Sequence, residues 1–191
     1  MSKVGKKFPD ISVNAMNEMG DTFKINVLQE ALENKKKIIL FWYPKDFTFV
    51  CPTEIHAFQS KLSEFEKRNT MVIGASCDTP EVHFAWLSTP KDNGGIEGVT
   101  FPLIADSTRH LSETLDILDT EYVGTEENYS IEGDNVSYRA TFLIDEEGTI
   151  FHESVNVMPL GRNVDEYLRL IDGYAHNQKH GEVCPANWEE G

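Results

Sequence analysis

The sequence predicts an α/β domain of three layers, with a mixed sheet held between helices. Three observations lead there. Short apolar runs bounded by turn residues alternate with segments of helical period along much of the 191 residues. Late in the chain, two strand-like runs flank Glu147-Gly148 and read as an antiparallel hairpin, whereas the earlier strands are joined by helices. A closing helix follows, and from Gly181 the pattern fails and leaves a polar arm containing Gly and Pro.

The first clear strand is IILFWY (38–43), apolar throughout and ended by Pro44. In CPTEIHAFQSKLSEFEKR, the residues Ile55, Phe58, Leu62 and Phe65 recur at helical spacing and predict one amphipathic helix beginning at Cys51. Pro52 suits its first turn, and Glu54, three residues after Cys51, suggests a capping box. MVIGASC (71–77) reads as a second buried strand, TPEVHFAWLS as a helix starting near Pro80, and TFPLIAD (100–106) as a third strand. STRHLSETLDIL places Leu111, Leu115 and Leu118 on one helical face. Residues 110–138 hold eight acidic residues and no Lys or Arg. Their middle part lacks a helical period and reads as a solvated excursion in the form of a small hairpin, with a docking site for a basic partner as the alternative. YRATFLID and TIFHESVNV form the late hairpin. Asn163 and Glu166 mark the cap of the last helix, which turns Val164, Leu168, Ile171 and Ala175 inward. The expected organisation is a main domain over 1–165, then a C-terminal helix and arm over 166–191.

Acidic residues outnumber basic ones by 32 to 17, for a formal net charge of −15. Such a surface repels phosphate backbones and anionic lipid, so neither nucleic acid nor a membrane surface is an expected partner. No apolar run approaches the roughly 20 residues of a membrane helix. The lysines of MSKVGKKFPDISV precede no apolar stretch, so the expected compartment is the cytosol, where thiols stay reduced.

The cysteines are Cys51, Cys77 and Cys184. None forms a C-x-x-C, which argues against a zinc ribbon or a dithiol of the thioredoxin type. Cys77 ends an apolar strand and reads as core filler. Cys51 arrives at a helix start after a buried strand and a short turn. Free backbone N–H groups and the helix dipole favour a thiolate there. Thr48, three residues earlier, is placed to turn its hydroxyl toward the sulfur. The other reading, a buried structural cysteine, is outweighed by this strand–turn–helix setting with Pro44 and Thr48. A Cys-x5-Arg phosphatase loop is excluded because Ala57 stands six residues after Cys51. Nothing local supplies the His and orienting residue of a cysteine hydrolase. Cys184 lies in the polar arm, where a mobile, exposed thiol is expected. His176 and His180 read as a solvated face rather than a metal pair, Trp86 and Trp188 as packing residues, and no nucleotide-binding motif is present.

PKDFTFVC, followed by PTE, resembles the P-x-x-x-T-x-x-C signature of the peroxiredoxins. The nearest likeness is to the typical 2-Cys class, which includes the C subunit of alkyl hydroperoxide reductase. FPLIADSTR, YRATFLID, PLGR and HGEVCPANW resemble that class as well, so the likeness spans nearly the whole chain. It implies a thioredoxin-like fold with a C-terminal resolving arm, and thiol-dependent reduction of hydrogen peroxide and organic hydroperoxides. By this resemblance Cys51 attacks the peroxide and becomes a sulfenic acid. Thr48 hydrogen-bonds the peroxide, Pro44 shields the pocket from water, and Arg139 stabilises the thiolate and orients the substrate. Cys184 of the other subunit then closes an intersubunit disulfide, which a separate reductant opens. That reductant is thioredoxin or a flavoprotein disulfide reductase. Also implied are a homodimer, a ring of five dimers, a role in antioxidant defence and redox homeostasis, and no resident metal, haem or flavin. A chaperone or redox-relay role is the rival or additional activity. Glu54 either caps its helix, the reading favoured slightly, or joins a network beside the site. The chain departs from the family pattern in four places. The region 116–138, before Arg139, is longer than usual. Ala140 follows Arg139 where a glycine is usual, NGGIEG (93–98) puts Glu97 into a loop that reads GGLG in peroxide-sensitive relatives, and no Tyr-Phe tail follows WEEG. Resistance to over-oxidation is the expectation from the last two.

Overall fold

The computed structural model describes residues 1–191. The chain opens with a hairpin, β1 (Ser12–Met16) and β2 (Thr22–Asn26), which turns at Gly20 with φ +85°. Asn26 caps α1 (Val27–Asn34), its side chain accepting from Gln29 N at 3.2 Å. Then come β3 (Lys37–Trp42), α2 (Cys51–Ser60), α3 (Leu62–Lys67), β4 (Thr70–Ser76), α4 (Pro80–Leu87) and β5 (Leu103–Ala105). A short α5 (His110–Thr114) leads to a separate exposed pair, β6 (Glu121–Thr125) and β7 (Asn128–Glu132). β8 (Arg139–Ile144), β9 (Ile150–Asn156) and α6 (Val164–His180) close the chain.

The seven-stranded sheet has the order β2-β1-β5-β4-β3-β8-β9. β3 lies inside it because it is apolar on both faces and needs cover on both. Ile38, Leu40 and Trp42 enter one core cluster with Phe8, Ile73 and Phe142, while Ile39 and Phe41 enter the other with Cys51, Phe58 and Ile171. β3 runs parallel to β4 and antiparallel to β8, so the sheet is mixed, and the late hairpin pairs as expected from Arg139↔Asn156 to Ile144↔Ile150. The arrangement is thioredoxin-like. No helix is long and apolar enough to cross a membrane.

Several local expectations are corrected. The helix expected to run unbroken from Cys51 is interrupted at Lys61 (φ −102°, ψ 6°), giving α2 and α3. The helix expected to carry Leu118 ends at Thr114, and Asp116, at φ +59°, turns the chain away. Leu111 and Leu115 are still buried, whereas Leu118 bridges Ser137. The division at 165/166 falls inside α6. Val164, Tyr167, Leu168 and Ile171 share the core cluster of Cys51, so this helix belongs to the body and the arm begins after Gly181 (φ +69°).

Candidate active site

β3 delivers the chain to Tyr43 and a buried Pro44, and the loop that follows is tied into the body at Asp46. The Asp46 backbone N donates to Asp78 Oδ2 at 2.9 Å. Its carboxylate meets His83 Nδ1 at 2.6 Å, and His83 Nε2 reaches the Ile104 carbonyl at 3.0 Å, with both side chains fully buried. Burial works against a charged His83, but the Asp46 carboxylate and the Ile104 carbonyl outweigh it and hold the imidazole above its ordinary range. The sequence reading missed this pair, whose members lie 37 residues apart.

Cys51 is the first residue of α2, with Val50 as N-cap and Pro52 in the first turn. No side chain caps the helix. Pro52 has no N–H, and the Thr53 and Glu54 N–H groups donate to Val50 O at 3.1 and 3.3 Å, so the backbone N–H of Cys51 itself is the one left for the site. Cys51, Glu54, Ile55 and Phe58 form the buried face, and Cys51 has no exposed surface. Glu54 is therefore not a cap. Its carboxylate accepts from Arg139 Nη1 at 2.8 Å, from Arg162 Nε at 2.9 Å and Nη2 at 2.8 Å, and from the Arg162 backbone N at 2.9 Å. Burial pushes the Glu54 carboxyl up, yet the hydrogen bonds and charge of Arg162, and then the charge of Arg139, hold it below the usual carboxylate range.

Arg139, at the start of β8, places Nη1 3.4 Å from Cys51 Sγ, and its Nε donates to the Met158 carbonyl. The guanidinium thus joins the sulfur to the Glu54 carboxylate. Arg162 also donates from Nη1 to Ala140 O at 2.9 Å and Thr141 Oγ1 at 3.2 Å, and it lies over the Phe41 ring. The sequence reading gave Arg162 no role. A signal for it existed: Glu54 sits on the same helical face as Cys51, Ile55 and Phe58, and a carboxylate facing a core needs cations.

Thr48 is half-buried on the turn before Cys51. Its hydroxyl donates to the Lys45 carbonyl at 3.2 Å rather than turning toward the sulfur. Cys77 is buried with Sγ 3.6 Å from Ser112 Oγ, and burial pushes its thiol up. Cys184 is apart from Cys51, on the arm, and all three cysteines are free. Residue 184 is exposed, but the arm is docked rather than loose. Cys184 Sγ donates to Gly173 O at 3.2 Å, Asn177 Nδ2 to Glu182 O at 2.8 Å, and Arg169 Nη1 to Trp188 O at 3.2 Å. His176 faces the Glu182 carboxylate at 3.0 Å and the Trp188 ring at 5.1 Å, so it is part of this dock and not a solvated face.

The AhpC/TSA family model matches residues 4–153, and that of the C-terminal domain of 1-Cys peroxiredoxin matches residues 174–191, which include Cys184. The chain is 42% identical to the alkyl hydroperoxide reductase C of Helicobacter pylori (strain ATCC 700392 / 26695), over 100% of this chain and 88% of that protein. It is 41% identical to peroxiredoxin-1 of Gekko japonicus, over 98% of this chain and 87% of that protein. Among solved structures, the reduced 2-Cys peroxiredoxin of Plasmodium vivax superposes with a TM-score of 0.88 at 38% identity, covering 100% of this chain and 91% of that one. AhpC of Enterococcus faecalis gives 0.81 at 29% identity, covering 97% and 100%.

Proposed function

We propose, from the premise that this chain belongs to the AhpC/TSA family and is a thiol-dependent peroxidase, that Cys51 is the thiol that attacks the peroxide and Cys184 the one that resolves it. The observation that carries the reading is the Arg139 guanidinium 3.4 Å from a fully buried Cys51 sulfur at a helix start. That cation, the Cys51 N–H and the positive end of the α2 dipole stabilise negative charge on sulfur and then on the departing oxygen. The sulfur attacks one peroxide oxygen, the S–O bond forms and the O–O bond breaks. The alkoxide or hydroxide leaves, takes a proton, and Cys51 becomes a sulfenic acid. Thr48 turns its hydroxyl from Lys45 to the bound peroxide, and the buried Pro44 keeps water from the sulfur. Glu54 and Arg162 hold the Arg139 fork in plane.

Cys184 of a second copy then attacks the Cys51 sulfur. The S–S bond forms and the oxygen leaves as water. A separate dithiol donor, thioredoxin or a flavoprotein disulfide reductase, returns two electrons, and a cytosolic setting suits that cycle. Support for a homodimer is the open edge of β9 with Val155, Val157 and Leu160 exposed, and Phe47 and Phe49 on the loop before Cys51 offer apolar surface for joining dimers into a ring of five. Peroxide consumption with each donor tests the scheme. Cys51→Ser should abolish turnover. Disulfide-linked dimers on non-reducing gels should vanish in Cys51→Ser and Cys184→Ser and survive in Cys77→Ser. Dimers that persist without Cys184 would overturn the pairing.

A further inference from the structure

The hairpin between α5 and β8 takes no part in the site. Its base is firmly held. Asp119 Oδ1 accepts from Tyr138 OH at 2.8 Å and Asp119 Oδ2 from Asp134 N at 3.2 Å, while Arg109 Nε donates to Asn135 O at 2.8 Å. The ten residues of β6 and β7 are all exposed. Their register divides them into two unlike faces. Tyr122 opposes Ile131 and Gly124 opposes Tyr129 on one face. Glu121 opposes Glu132, Val123 opposes Ser130, and Thr125 opposes Asn128 on the other.

Both faces lack something. Tyr122 and Tyr129 meet edge to face at 5.6 Å, yet each stays 57% exposed, and Ile131 stays 47% exposed. Like charges set directly across a strand pair destabilise it, and a two-stranded hairpin alone is marginal in water. Glu121 and Glu132 form such a pair, with no Lys or Arg anywhere in 110–138. Neither strand has a neighbour on its outer edge. Gly124, at φ +127°, interrupts the backbone of β6, so β7 presents the more regular edge.

A second hairpin of this chain is a poor occupant, because it brings the same negative charge and no cation. An extended segment that alternates apolar residues with Lys or Arg complements both faces at once. Alternate side chains of a strand point to opposite faces, so its apolar set extends the tyrosine face and its cations reach the glutamates. We propose that the β6–β7 hairpin docks such a segment of a partner protein, added as a strand along β7. The proposal goes beyond the peroxidase reading and does not depend on it.

Fluorescence anisotropy with labelled short peptides on the full chain, at about 150 mM salt, tests it. The probes alternate Lys with Val, Lys with Ser at equal charge, and Glu with Val. The Lys-Val probe should bind at least about tenfold more tightly than the Lys-Ser probe, and the Glu-Val probe should not bind. Glu121→Gln combined with Glu132→Gln should weaken Lys-Val binding about tenfold. That double variant removes a repulsion within the hairpin, so the loss cannot come from unfolding it. Glu18→Gln combined with Glu33→Gln removes the same charge from exposed positions elsewhere and should leave binding unchanged. All variants should consume peroxide at the wild-type rate. Equal binding of the two Lys probes, equal weakening by the two double variants, or no binding by the Lys-Val probe would each overturn the proposal.

Discussion

A single carboxylate carries the geometry of the site. Glu54 holds two guanidiniums, and one of them touches the sulfur. Removing one partner of a buried charge group typically costs about 3–5 kcal/mol, because the remaining charges are stranded. Glu54→Ala should lower the stability read from urea unfolding by about that amount. The pH dependence has a definite sign. The Glu54 carboxyl is depressed in the folded chain, so its contribution is present above the unfolded value of about 4.3 and is lost as pH falls through the lower folded value. Glu54→Gln should therefore flatten the acid limb of the stability curve and leave its alkaline limb alone. Arg139→Lys keeps a charge but loses the fork that serves sulfur and carboxylate together. Single-turnover oxidation of Cys51 should slow by about 10²-fold or more, as expected for losing an aimed donor, while the fold is retained. Cys51 was legible from the sequence because a strand, a turn and a helix start are local signals. The role of Glu54 was not, since the same three-residue spacing serves a cap and a buried helix face. Its partner Arg162 lies 108 residues away, so only the tertiary fold separates the two.

At the scale of elements, α2 matters most, because its first residue must leave the core before its sulfur can meet another thiol. The helix is pinned along its outer side. His56 Nε2 contacts Gly95 O at 3.1 Å, Gln59 Nε2 donates to Thr100 Oγ1 at 3.0 Å, and Gln59 Oε1 accepts from Thr100 N at 3.0 Å. A hydrogen bond contributes about 1 kcal/mol net, so Gln59→Ala should speed disulfide closure roughly five- to tenfold. Stopped-flow measurement should find the peroxide step unchanged. Faster closure also competes with further oxidation, so mass spectrometry after millimolar peroxide should show less sulfinic Cys51 than in wild type. The break at Lys61 was invisible in the sequence because Leu62 and Phe65 keep the apolar period running across it. The N-terminal hairpin was missed for the opposite reason. β2 reads TFKIN, which does alternate, but the alternation lasts only five residues and Ile25 alone is buried while Phe23 stays exposed, so the signal is too short to stand out.

For the whole molecule, the sheet order was not readable from any one segment. β5 pairs antiparallel with β1 as well as parallel with β4, which places the missed hairpin at one flank and leaves β9 open at the other. The proposed dimer uses that open flank. Val155→Lys on β9 should shift the sedimentation profile toward monomer. Each copy also carries −15, and like-charged copies repel. Raising salt from about 20 to about 200 mM should therefore tighten wild-type self-association, the reverse of its effect on a salt-bridged interface.

The docked arm has an optical consequence. Of the three tryptophans, Trp42 and Trp86 are sealed in the core, and Trp188 lies half-buried on the arm beside Gly173 and the His176 ring. Lifting the arm moves one indole into water and leaves the other two dry. The emission spectrum should shift to the red as the arm rises and return as it settles. Mixing with peroxide in a fluorimeter would then time the arm's motion without any dye, and Trp188→Phe would leave a spectrum that stays blue through the cycle.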